Sequence, residues 1–172
     1  DYKIIADPRS SATLADLQKQ FDFLISVRDK VTEAHQTIID IRKAKEQLNT
    51  LSERLASDST MKDITDAVKE VQKQMSKIEN ELYQTKNRSR QDPLNYPIKL
   101  TNKLAHLNSL MGIGDNAPTE QAEQFKKEVT QKIDSQINDW KSIKEQDIPK
   151  INDLVKEKQV DAIILDTEKM SN

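Results

Sequence analysis

Cysteine is absent from these 172 residues, which excludes disulfides and thiolate chemistry within them. Glycine occurs 2 times and proline 5 times, far fewer turn residues than a sheet protein of this length requires. Aromatic side chains make up 4%, too few to build the stacking platforms that read single-stranded nucleic acid. Neither sign of charge dominates: 27 basic and 29 acidic side chains are interspersed, with a net charge of -2. A nucleic-acid binder carries a one-sided basic footprint instead, so nucleic acid is not an expected partner. No apolar run approaches the ~20 residues that span a bilayer, and no signal peptide is visible. The chain opens on Asp1-Tyr2-Lys3 without a methionine, as a piece of a longer protein would.

What remains is 35% hydrophobic and 33% charged residues at a mean hydropathy of -0.80. That balance is too polar for a thick two-layer core, but it suits long helices that each bury one stripe. The apolar residues are placed accordingly. From Leu17 they run through Phe21, Leu24, Val27, Val31, Ala34, Ile38, Ile41, Leu48 and Leu51 to Leu55, in steps of mostly three or four, as in a helix packed along its length. Thr13 followed by Asp16 supplies its start signal. Ser57-Asp58-Ser59-Thr60 marks a turn, and a second stripe follows at Met61, Ile64, Val68, Val71, Met75, Ile78 and Leu82. The short connection predicts an antiparallel hairpin.

Asp92-Pro93-Leu94-Asn95-Tyr96-Pro97 is a loop of defined shape, because the residue before each proline is driven away from helix. Pro97 is placed to sit in the first turn of a third helix with Leu100, Leu104, Leu107 and Met111 inward. Gly112 or Gly114 ends it in a left-handed cap. Pro118-Thr119-Glu120 opens a fourth helix with its stripe at Ala122, Phe125, Val129, Ile133, Ile137, Trp140 and Ile143. Pro149 removes a backbone donor, so a kink or break is expected near Asp147-Ile148, with Ile151, Leu154 and Val155 continuing beyond. The expected fold is thus all-α, an antiparallel four-helix bundle of two hairpins with a very long first helix. Residues 1–9 read as the end of an upstream β-domain or a linker, with Tyr2 to Ala6 as its last strand. Residues 10–159 form the bundle, and 160–172, with the apolar run Val160 to Leu165, form a strap or tail.

Chemistry-bearing residues are sparse. His35 and His106 have no carboxylate or second histidine at metal-ligating helical spacing. The carboxylates alternate with lysines, as on a solvated face, and Gly112-x-Gly114 lacks the third glycine of a nucleotide fingerprint. No catalytic, cofactor or metal site is therefore expected. Tyr96, between two prolines, and Trp140, the single tryptophan, are the two candidate contact residues; for Trp140 the core reading outweighs that of an exposed interface anchor. Asn87-Arg88-Ser89 fits the N-glycosylation pattern. Asp58-Ser59-Thr60 fits a bacterial O-glycosylation pattern and, equally, a helix cap.

Two stretches resemble a known family. Asp7-Pro8-Arg9-Ser10-Ser11-Ala12-Thr13-Leu14-Ala15-Asp16-Leu17-Gln18-Lys19-Gln20-Phe21 looks like the junction in exported bacterial sortilin-like, BNR-repeat β-propeller proteins where a β-sandwich strand ends and a helical tail begins. Asp92 to Leu104 is similar to the middle of that tail, and Ala117 to Gln121 with Asp139-Trp140 fits its second half. The resemblance implies a parent of glycosyl-hydrolase-like type, with any sugar chemistry in the propeller. It also implies export to the periplasm, cell surface or medium. No catalytic residue of the family falls within this chain. The expected role is a non-catalytic C-terminal helical domain, acting as brace, spacer or dimerisation element. Its expected partners are the upstream domains of the same chain or a second copy. A stand-alone module that takes a partner helix into an interhelical groove is the alternative.

Overall fold

The computed structural model describes residues 2, 3, 5, 7–89 and 91–162, and among these no strand occurs. Tyr2 and Ile5 are exposed without regular structure; the rest of the expected upstream strand, Ile4 and Ala6, lies outside the described residues. Helix α1 runs Leu14–Leu55, 42 residues, with a complete capping box. The Asp16 amide donates to Thr13 Oγ1 at 3.2 Å, and the Thr13 amide donates to Asp16 Oδ2 at 3.0 Å. These bonds satisfy two of the donors that any helix start leaves orphaned. No glycine or proline follows until well beyond its end, so nothing interrupts a rod of roughly 63 Å.

Asp58 caps a single 3-10 turn, Ser59–Met61, which leads into α2, Lys62–Leu82. The α2 stripe is complete: Ile64, Val68, Val71, Met75, Ile78 and Leu82 are all buried. Helix α3 spans Leu100–Met111. It starts three residues later than Pro97, whose place in the first turn was expected. Pro97 instead serves the preceding loop, where its carbonyl accepts from Gln84 Nε2 at 2.8 Å. Gly114, at φ 77, supplies the left-handed turn that leads out of α3.

Helix α4 spans Glu120–Ser142, capped by Thr119, and α5 spans Ile148–Glu157. No break separates them. One π-helical turn, Ile143–Asp147, carries the chain through, with the Ile148 amide donating to the Ile143 carbonyl. A proline ring collides with the carbonyl four residues back. Widening the ladder to five-residue closure relieves that collision, so the kink or break expected near Asp147-Ile148 takes the form of a π turn without a break. Of the expected strap, residues 160–172, the part from Ile163 onward lies outside the described residues.

The register follows from contacts between the rods. Arg42 meets Glu79 and Asn49 meets Gln72, so α2 runs antiparallel to α1. Lys126 sits over the Phe23 ring and Asp134 meets Lys30, so α4 runs parallel to α1. Thr101 Oγ1 in the first turn of α3 donates to the Leu82 carbonyl at the end of α2, at 2.8 Å. At the far end of α3, the Met111 carbonyl accepts from Gln20 of α1 at 2.6 Å. Helices α2 and α3 therefore lie end to end along α1, and the two hairpins share that helix. A continuous core of buried residues runs from Phe23 and Ala122 through Ile41, Leu82 and Leu104 to Leu55 and Ile64.

Two stripe assignments are corrected. Phe21 is 58% exposed and Phe23 1%. At about 100° per residue the two point nearly opposite ways, and Phe23 is the one four residues from the buried Val27. Phe125 is 41% exposed. The inward slot between Ala122 and Val129 belongs to Lys126, whose ammonium lies 4.2 Å from the Phe23 ring centre.

Candidate functional site

A catalytic or binding centre in a bundle is built from inward side chains. Glu79 is 6% exposed. Its carboxylate accepts from Arg42 Nε at 2.6 Å and from Lys45 Nζ at 3.2 Å, both on α1. Arg42 also covers the Tyr83 ring at 5.6 Å, and His35 meets that ring edge-on at 6.0 Å. Every member thus has a partner, and the cluster works as a clamp between α1 and the end of α2. Sequence reasoning passed over Glu79, although it stands four residues after Met75 and beside Ile78 on the same stripe.

A second clamp joins α1 to α4. Lys30 Nζ donates to Asp134 at 2.7 Å and to Glu33 at 2.6 Å. Burial opposes its charge, but those two carboxylates outweigh the burial and hold the ammonium above the usual lysine range. Neither clamp lines the two apolar clefts described below. Among the described residues, no group of three His, Cys, Asp or Glu side chains could hold a metal ion.

His35 and His106 are both exposed and are carried on different helices. His106 lines a cleft between α3 and α4 of about 410 Å³, walled by Ile98, Leu107, Leu110, Met111, Ala122 and Phe125. Ile98, Leu110 and Phe125 each expose 41–46% of their surface there. Three half-exposed apolar side chains thus gather at this one cleft, which is where the displaced Phe125 goes. A second cleft of about 400 Å³ lies between α1 and α5, lined by Ala44, Leu48, Leu51, Ile148, Ile151 and Val155, with Arg54 at its edge.

The two candidate contact residues separate. Tyr96 is 36% exposed with Lys86 Nζ 5.6 Å from its ring, so it stays available at the surface. Trp140 is 6% exposed and packs into the core. In the glycosylation motifs, the Asp58 carboxylate accepts from the Thr60 amide at 2.9 Å and its hydroxyl at 2.7 Å, the geometry of a cap. Asn87 is half-buried, and its enclosed Oδ1 has no hydrogen-bond partner among the described residues. Asp92 accepts from the Arg88 and Ser89 amides, and these bonds hold its carboxyl below the usual range.

Among the described residues, no helix is long and apolar enough to cross a membrane. No protein-family model, curated protein or solved structure matches the chain.

Proposed function

We propose that this chain is a non-catalytic helical brace, a stiff rod that spaces or holds together the parts of a larger assembly. The observation that carries the reading is α1: 42 uninterrupted residues with buried side chains from Phe23 to Leu55, clamped to α2 through Glu79 and to α4 through Lys30. Such a rod transmits position along its length, because bending it means unpacking the neighbours that flank it. Its titratable clusters are occupied in joining helices, which suits a mechanical role.

The two stretches that resemble the tail of sortilin-like β-propeller proteins extend the proposal. They would place the brace after the propeller of an exported protein, at the periplasm, cell surface or outside, with a second copy as a further partner. In this fold those stretches form the α1 cap and the approach to α3, positions that set the geometry of a helical tail. Any glycosyl-hydrolase-like activity would then lie outside these residues.

The brace is tested by spin labels. The chain has no cysteine, so replacing exposed Lys19 and Glu53 by cysteine labels only those sites. The 34 intervening residue steps (53 minus 19) correspond to roughly 51 Å along a helix. A single narrow distance distribution near that value is expected; a broad or two-peaked distribution sinks the reading.

A second reading, a module that takes an amphipathic partner helix, is favoured by the apolar cleft between α3 and α4. Under it, Leu110→Asp and Phe125→Asp abolish co-purification of a partner while leaving the helical circular dichroism intact.

A further inference from the structure

Resting on the reading of the α3–α4 cleft as a docking surface, we propose that its occupant is the same cleft of a second copy of this chain. The two copies are related by a two-fold axis that runs along the cleft. Charge of opposite sign on the two walls, with half-exposed apolar side chains between them, selects both the partner and the axis.

Helix α3 is the basic wall. Lys103 and His106 line the cleft, and none of the 12 residues of α3 is acidic. Helix α4 is the acidic wall. Its flank around Phe125 carries Glu120, Gln121, Gln124 and Glu128. Lys126 of the same helix is turned away to Phe23 and Glu123, and Lys132 stands two turns beyond Phe125, outside both hollows that border this ring. The two walls do not neutralise each other. The salt bridges nearest the cleft, Lys99 with Glu81 and Lys126 with Glu123, leave out Lys103, Glu120 and Glu128. Glu128 accepts from Gln124 of its own helix, at 2.8 Å.

The charges also stand at matching levels. Helix α3 runs from the end of α2 back to Gln20, and α4 runs parallel to α1, so α3 and α4 are antiparallel. Leu107 and Phe125 share the cleft. One turn back from Leu107 is Lys103, and nearly one turn on from Phe125 is Glu128. Both steps lead toward the middle of the bundle. A two-fold axis along the cleft keeps that level and exchanges the walls, so Lys103 of each copy faces Glu128 of the other, as an isologous contact requires. The Phe125 ring, 41% exposed, then lies against Leu107 and Leu110 of the opposite copy. A two-fold axis across the cleft would instead set Lys103 on Lys103 and Glu128 on Glu128, and like charges oppose it. A helix from another protein would have to be acidic along one edge and basic along the other. A second copy of this surface supplies both by symmetry.

Sedimentation velocity of the full chain over a range of concentrations is expected to show a reversible monomer–dimer equilibrium. Phe125→Asp is expected to leave only monomer, with its helical circular dichroism unchanged. Lys103→Glu alone and Glu128→Lys alone should each weaken the dimer about tenfold, because two exposed pairs change from attraction to repulsion. Combining both replacements in one chain should regain the original affinity, since opposite charges face each other again. An equimolar mixture of the two single variants should regain it too. If Phe125→Asp loses its helical signal, the exposed charge swaps still decide. A dimer that keeps its affinity in every variant overturns the proposal and places the contact elsewhere on the chain. Single variants that weaken the dimer without recovery in the double variant overturn it as well. A chain that stays monomeric at every concentration also overturns it; co-purification with Leu110→Asp and Phe125→Asp then decides separately whether the cleft docks a different helix.

Discussion

Lys126 occupies a slot that hydrophobic patterning assigns to an apolar residue. Its stem lies in the α4 stripe and its ammonium rests on Phe23, paired with Glu123 at 2.9 Å. Long basic side chains cover apolar surface in this way while keeping the charge in water. Lys126→Ala should therefore cost about 1 kcal/mol, the scale of a partly shielded cation–π contact plus lost packing. Phe125→Ser, one residue away, should cost less than that, because Phe125 leaves 41% of its surface exposed at the α3–α4 cleft. Urea denaturation midpoints compare the two, and the reverse ranking would mean that Phe125 is the core residue. Glu79 poses the related question for charge. Glu79→Leu should be neutral or stabilising, since an apolar side chain removes the need to desolvate a carboxylate. Arg42→Ala with Lys45→Ala should destabilise by roughly 3 kcal/mol, because the buried carboxylate remains while its partners go. Neither Lys126 nor Glu79 was legible from sequence. Periodicity ranks positions by residue type, whereas here a charged side chain fills an inward slot through its stem or through its partners.

At the scale of elements, starts and stops were the readable part. Thr13 with Asp16, Asp58 before the 3-10 turn and Gly114 after α3 all act through local hydrogen bonds or local φ preferences, which a short stretch of sequence contains. The α2 stripe was legible for the same reason, its spacing being unbroken. Pro149 was located correctly, and of the kink or break that was expected there the chain takes a π turn without a break, because tertiary packing decides how a proline is accommodated. One joint between elements carries a pH signature. Lys158 at the end of α5 holds Asp63 at the start of α2, at 3.1 Å, and this hydrogen bond keeps the Asp63 carboxyl below its ordinary range. A depressed carboxylate contributes stability above its unfolded value of about 3.9, and the contribution is lost as pH falls through the lower folded value. Asp63→Asn should thus lower the denaturation midpoint at pH 7, and the two proteins should converge as the pH drops below about 3. A constant gap across that range would rule out the charge as the cause. Gln159 allows the opposite manipulation. It takes φ 51 without being glycine. Gln159→Gly relieves the left-handed strain at the end of α5 and should raise stability by about 0.5–1 kcal/mol, after the entropy that glycine adds to the unfolded chain is offset.

For the whole molecule, the end-to-end placement of α2 and α3 sets how stability is shared. Periodicity showed that each helix has an inward face, but it could not show that both hairpins use the same α1, since that depends on which faces meet. Were the hairpins independent, each would melt on its own, as loosely coupled repeats do. Here the joint is buried: Leu82 and Leu104 are both 0% exposed, as is Ile41 of α1, and the Thr101 hydroxyl ties the two helix ends together. Helix α1 crosses this joint without a break, so fraying one half would expose core side chains in the other. A single cooperative transition is expected. Trp140 reports from the buried core beside α2, where its neighbours Asp139 and Ile143 face Ile78, and a Trp140→Phe, Phe125→Trp double variant reports from the α3–α4 end. Fluorescence melts of the two proteins should share one midpoint with the helical signal at 222 nm, once each is referred to its own circular dichroism. Thr101→Val should move both by the same amount, roughly 1–2 kcal/mol for an orphaned buried carbonyl. If the α3–α4 reporter melted first while the helical signal fell in two steps, α1 would be a tether between two small bundles, and its use as a rigid brace would have to be abandoned.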